Sequence, residues 1–184
     1  VPGFPGGPFG GEPEYAAVER GEVPERDYWA RLAGRRPDLD VGALWRACSR
    51  VRVEVRAAMA ALAGRVRLVA FTNDMAHWFG PDWAGRFPEL ASFDQVVEAA
   101  RLGVLKPDPE AFRLAAEEIG EPPGRCLFVD DLAVNLEGAA AAGMQTLLFE
   151  VRDPGGSIAT LLGRLGVDPD PPPGRGRARV FTIR

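Results

Sequence analysis

From residue 66 onward, short apolar runs alternate with helical segments, and that alternation constrains the fold more than any other feature of the chain. The run Val-Arg-Leu-Val-Ala-Phe at 66–71 predicts a strand, and further short strands are predicted at 93–97, 126–129 and 144–149. Helices are predicted at 109–119, 132–142 and 157–165. Asp108 is placed to cap the first of these, with Pro109 in its first turn, and Gly143 ends the second. The stretch between the first two strands, carrying Trp78, Phe79, Trp83 and Phe87, reads as helix and loop. Strands alternating with helices imply βαβ units, and hence an α/β fold with a parallel sheet covered on both faces.

Ahead of this block the texture is different. Residues 1–11 hold five glycines and three prolines, and 1–13 read as a turn-rich lead-in. Over 14–64, Tyr15, Val18, Tyr28, Trp29, Leu32, Leu44, Trp45 and Cys48 recur at three- and four-residue steps, punctuated by Pro24 and Pro37. A further helix at 53–63 ends at Gly64. This predicts a small all-helical module at 14–64, followed by an α/β core at 65–167 and an extended tail at 168–184. The aromatic side chains Tyr28, Trp29 and Trp45 are expected in the module's own core.

The chain has 184 residues, a net charge of −4 and a hydrophobic fraction of 46%, enough to bury a real core. An acidic chain with pI near 5.2 argues against nucleic acid or an anionic membrane as partner. No run of about 18 apolar residues occurs, and the start has no signal-peptide pattern. Cys48 and Cys126 have no metal or redox spacing, and Cys126 reads as a buried strand thiol. The single histidine, His77, sits beside Trp78 and Phe79 and reads as packing. The expectation is a soluble, cytoplasmic protein.

In open parallel sheets the ligand site lies beyond the carboxyl ends of the strands, and three polar groups can reach that edge. Thr72-Asn73-Asp74 follows the first strand and offers a hydroxyl and turn amides suited to phosphate oxygens. Lys106 is the only lysine among 22 basic residues. It precedes Pro107, which favours an extended backbone, and a helix starts at once, so the ammonium has a fixed direction and could neutralise a phosphoryl group. Asp130-Asp131 follows the third strand, and adjacent carboxylates at a strand end suit Mg2+. Each group also has a plain structural reading. Thr72-Asn73-Asp74 could form an Asx-capped turn, Asp131 the N-cap of the next helix, and Asn135 a solvated helix position.

The segments Phe71-Thr72-Asn73-Asp74, Gly103-Val104-Leu105-Lys106-Pro107-Asp108-Pro109-Glu110-Ala111-Phe112 and Leu127-Phe128-Val129-Asp130-Asp131, with Asn135 and Gly138-Ala139, together resemble the haloacid dehalogenase superfamily. The likeness is to its subfamily IA, which carries a small helical cap, and it extends over roughly 14–166. It implies a three-layer Rossmann-like sheet with the helical block as cap. It also implies phosphate binding by Thr72 and the Asn73 backbone, with Lys106 neutralising the phosphate and holding the nucleophile. Asp131 would be the main Mg2+ carboxylate, and Asp130 a second or outer one. Asn135 stands where many members have an acidic residue, so its role is open. The implied reaction is Mg2+-dependent hydrolysis of a phosphoric monoester, through an aspartyl-phosphate, on a small phosphorylated metabolite. Nothing favours a halo-acid substrate, and the sequence leaves the oligomeric state open.

The family's nucleophile, an Asp-x-Asp after a first hydrophobic strand, has no counterpart here. Asp38-Leu39-Asp40 follows Gly34-Arg35-Arg36-Pro37, which cannot be a buried strand, and reads as a decoy in the cap. A start at Val1 in a Gly/Pro-rich loop favours truncation of the first strand, which in the family lies between those carrying Thr72 and Asp131. The alternative is a non-catalytic relative that binds a phosphorylated ligand or a protein partner, with 180–183 replacing the strand. On the leading reading the 184-residue chain is expected to show no hydrolase turnover. Mg2+-dependent release of phosphate by the purified chain would contradict that.

Overall fold

The computed structural model describes residues 13–19, 22–38, 40, 42–43 and 50–167. The lead-in at 1–12, the tail with its 180–183 segment, and Leu44, Trp45 and Cys48 lie outside the described residues. The chain divides into two units, Val1–Ser49 and Arg50–Arg184.

The first unit holds α1 (Pro13–Glu19) and α2 (Glu25–Arg35). Their apolar stripes supply Tyr15, Val18, Tyr28, Trp29 and Leu32, all buried. Tyr28 packs edge-on against Tyr15 and Trp29, with ring centroids 5.2 and 5.0 Å apart. Glu14 pairs with Arg31 and Arg35 on the solvent side. Asp38 is exposed and bound to Arg36, and Asp40 accepts a bond from the Ala43 amide. Both aspartates are thus spent on local turns.

In the second unit the elements run α3 (Val53–Leu62), β1 (Val69–Thr72), α4 (Met75–Phe79), β2 (Gln95–Glu98), α5 (Ala99–Leu102), α6 (Pro109–Glu118), β3 (Leu127–Asp130), α7 (Ala133–Ala141), β4 (Gln145–Leu148) and α8 (Pro154–Leu165). Two short 3-10 turns, Trp83–Arg86 and Pro88–Ser92, join α4 to β2. The pairing is parallel throughout. β1 runs with β2 in the register Val69 to Gln95, and β3 with β4 in the register Leu127 to Gln145. Among the described residues β1 and β3 do not pair, so the strands form two two-stranded sheets. Asp108 accepts from the Glu110 amide at 2.8 Å and caps α6 as the sequence predicts.

Alternation along the strands sorts the core into two faces. Val69, Phe71, Cys126 and Phe128 point to one side and pack with Phe112 and Ala115 of α6 and Ala139 of α7. Leu68, Leu127 and Val129 point to the other and pack with Val55, Met59 and Leu62 of α3 and Leu161 and Leu162 of α8. Helices cover both faces, which makes the three layers. α3 thus packs within the second unit, which begins at Arg50. The apolar stripe of α3 is long enough to be a core-covering helix, and periodicity alone does not name its partner.

Cys126 lies just before β3, is 1% exposed, and sits 3.7 Å from the Pro122 carbonyl. Burial, with the Glu121 carboxylate adding to it, pushes the thiol up from an ordinary value of 9.0 to about 11. The folded chain thus holds this proton more tightly than the unfolded one. The associated stability is fully present below about pH 9 and is lost as pH rises toward about 11. Urea unfolding of the wild type is expected to weaken more steeply across that window than unfolding of Cys126→Ala. Parallel pH curves for the two proteins would contradict the assignment.

Candidate active site

The carboxyl ends of β1 and β3 carry the polar groups singled out in the sequence. Thr72 is the last residue of β1, Asn73 follows it, Asp130 is the last residue of β3, and Asp131 follows that. Lys106 arrives from the loop after α5, through Gly103 at φ +83°, and its peptide to Pro107 is cis. The fold brings Asn73, Lys106, Asp130 and Asn135 into one hydrogen-bonded set.

Lys106 is the centre of it. Its Nζ donates to the Phe71 carbonyl at 3.0 Å and lies 3.4 Å from Asp130 Oδ2, with the Asp130 side chain 0% exposed. The ammonium stands 5.2 Å from the ring centroid of Phe71 and 5.3 Å from that of Phe128. A desolvated cation is held here by a carboxylate, a main-chain carbonyl and two ring faces, each of which offsets part of its lost hydration. The lysine's direction is set by its backbone. Asn73 Oδ1 accepts from the Lys106 amide at 2.8 Å, and Asn73 Nδ2 donates to the Lys106 carbonyl at 3.2 Å.

Asp130 is fully engaged by protein groups. Its Oδ1 accepts from the Leu132 amide at 2.9 Å and from Asn135 Nδ2 at 3.1 Å, while Oδ2 faces Lys106. This geometry makes Asp130 the lysine's counter-charge. Asp131, the first residue beyond β3, is half-buried. Its carboxylate chemistry suits a hard cation, but among the described residues no group of three His, Cys, Asp or Glu side chains gathers that could hold a metal. Neither plain reading of the helix start holds. The N-cap of α7 is Leu132, with no side-chain cap bond, and Asn135 is 4% exposed rather than solvated.

Thr72 is 8% exposed, and its Oγ1 is buried without a hydrogen-bond partner among the described residues. An unsatisfied buried hydroxyl of this kind costs about 1–3 kcal/mol until something pairs with it. The turn beyond it is fixed by the Ala100 amide, which donates to the Asn73 carbonyl, and by Glu98, which accepts from the Ala76 amide. His77 is exposed and stacks edge-on with Trp78 at 4.8 Å, in keeping with a packing role.

Gly138 was part of the sequence motif without an assigned role. α7 crosses so close to the Lys106–Pro107 loop that a Cβ at Gly138 would collide with the Pro107 carbonyl and stand 2.9 Å from Phe112 Cε2. Alanine is better than glycine in a helix interior by about 1 kcal/mol, so only the collision can make Gly138→Ala unfavourable. Gly138→Ala is expected to lower stability in urea by about 2 kcal/mol. Gly163→Ala, in α8 with open space around it, should leave stability unchanged or raise it by up to about 1 kcal/mol. Equal effects from the two substitutions would show that the close crossing does not constrain the loop.

Comparison with known proteins places this geometry. Residues 11–143 match the haloacid dehalogenase-like hydrolase family. Over 57 residues the chain is 42% identical to phosphatase MT3486 of Mycobacterium tuberculosis, a match spanning 31% of this chain and 26% of that protein. The chain covers well under two thirds of the curated relatives it matches first. Among solved structures, a subfamily IA hydrolase of the superfamily from Geobacter sulfurreducens is similar, with a TM-score of 0.50 and 27% identity over 68% of this chain and 64% of that one. A family enzyme from Bacteroides thetaiotaomicron, solved as a mutant with magnesium and inorganic phosphate, shares the fold at 17% identity and a TM-score of 0.50, covering 73% of this chain and 74% of that one. With the family match spanning most of its length, and with an α/β fold that brings Thr72, Lys106 and Asp130 to the carboxyl ends of β1 and β3, the chain belongs to the haloacid dehalogenase-like hydrolases.

Proposed function

We propose that this chain carries the phosphate-handling edge of a phosphoric-monoester hydrolase acting on a small phosphorylated metabolite. The observation that carries the reading is the buried hydroxyl of Thr72, without a partner among the described residues, at the end of the strand whose Phe71 carbonyl holds the Lys106 ammonium. A phosphoryl oxygen accepts from both, which satisfies the hydroxyl and gives the cation a second anionic partner. The amide of Asn73 and the turn after it add main-chain donors.

In such a reaction a carboxylate attacks phosphorus, the ester oxygen leaves as the alcohol after taking a proton, and water then cleaves the acyl phosphate. Lys106 would stabilise the charge that builds on the equatorial oxygens, and Asp130 would hold it in place. Asp131 would be the main Mg2+ carboxylate and Asp130 a second or outer one; the relative from Bacteroides binds magnesium, and the ion would neutralise phosphoryl charge. The nucleophile has no candidate among the described residues at this edge. The second reading is a chain that binds phosphorylated ligands without turning them over, keeping Thr72, Lys106 and Asp131. Among the described residues no helix is long and apolar enough to cross a membrane, and a cytoplasmic setting belongs to the same proposal.

Inorganic phosphate titrated into the 184-residue chain is expected to bind saturably, as read by calorimetry. Lys106→Ala and Thr72→Val should each weaken it by roughly tenfold or more, equivalent to about 1.4 kcal/mol. Thr72→Val should leave urea stability unchanged or slightly raised, because it removes an unsatisfied buried hydroxyl. Wild-type affinity in both variants, or no saturable binding by the folded chain, would reject the phosphate reading.

A further inference from the structure

We infer that the side chain of Asn73 is the positioning residue that sets where the Lys106 ammonium stands. The inference rests on the phosphate reading of the edge but concerns a different atom group, since that reading uses only the Asn73 backbone. One carboxamide spans both polar groups of a single residue 33 positions away, accepting from the Lys106 amide and donating to the Lys106 carbonyl. The amide's orientation is unambiguous, because a backbone N–H can only donate and a backbone carbonyl can only accept. The pair of bonds fixes the plane of the Lys106 main chain, and with it the origin of the side chain.

The clamp is itself anchored. Asn73 follows the last residue of β1, and its carbonyl accepts from the Ala100 amide at 2.8 Å. The far end of the lysine returns to the same strand, where Nζ donates to the carbonyl of Phe71, two residues before Asn73. Lys106 is therefore held to the end of β1 at both its main chain and its ammonium. Alanine and serine cannot reach both backbone groups, and aspartate lacks the donor. Asparagine is the short side chain with one donor and one acceptor on a planar head. The consequence is functional as well as structural. The turn whose amides face a phosphoryl group and the cation that neutralises it move as one body, so the distance between them is preset before ligand arrives.

The absence of any other lysine supplies the test. In protein labelled with 13C-lysine, the single Hε–Cε resonance reports Lys106 alone. In the wild type this peak is expected well away from the free-lysine position, because the ammonium lies against two ring faces. In Asn73→Ala it should lose at least half of that displacement while the spectrum remains that of a folded chain, and phosphate affinity should fall roughly tenfold. A merely structural tie would lower the melting temperature and leave the folded-state lysine peak where it was. An unmoved peak in folded Asn73→Ala overturns the inference. Should Asn73→Ala not fold, Asn73→Ser carries the same readout and the same two outcomes. Adding inorganic phosphate to the wild type separates the two claims. A lysine peak that depends on Asn73 but ignores phosphate rejects the phosphate reading and keeps the clamp.

Discussion

A single buried ion pair ties this fold together. Lys106 reaches from a loop to the carbonyl of Phe71 in β1 and to the carboxylate of Asp130 in β3, two strands that do not pair with each other among the described residues. Desolvating two charges is expensive, and their attraction offsets the cost only where the remaining lone pairs and protons are also satisfied. Here they are. Asp130 takes bonds from Leu132 and Asn135, and Lys106 adds a main-chain acceptor and two aromatic faces. Phe71, Phe112 and Phe128 pack edge-on beneath the pair, with Phe112 and Phe128 centroids 4.9 Å apart, and they exclude the water that would weaken it.

The same pair sets the two adjacent aspartates in different surroundings. Asp130 is buried and balances the lysine, while Asp131, just beyond the strand end, is half-buried. Two residues that look equivalent in a sequence become unlike because Asp130 ends β3 inside the core and Asp131 lies just beyond it. Gly138 belongs to the same arrangement. By letting α7 press against the Pro107 carbonyl, it holds the loop that delivers the lysine.

Much of this was legible in the chain itself. The alternation of apolar runs and helices predicts the parallel α/β architecture, and Asp108-Pro109 announces the start of α6. Lys106 stands out because every other basic residue is arginine. What could not be read are the relations between distant segments. Periodicity identifies α3 as amphipathic but does not name the core it covers. The strand ends shift by one to three residues because ladder pairing, rather than hydrophobicity, decides where a strand stops. Asn73's hold on Lys106 and the closeness of Gly138 to Pro107 arise only when segments 31 or 33 residues apart meet. No local pattern encodes such contacts. Asn135 had two readings, a solvated helix position or a site residue, because α7 is rich in alanine and gives little contrast between its faces.

The claim that the Lys106–Asp130 pair holds the two strand pairs together is tested most directly by a double-mutant cycle in urea. Lys106→Met and Asp130→Asn would be made singly and together. Each single change should cost about 3 kcal/mol or more, since it leaves a buried partner uncompensated, and the double variant should cost clearly less than the sum. Costs that simply add would mean that the two side chains contribute independently, and that the strands are held by apolar packing alone.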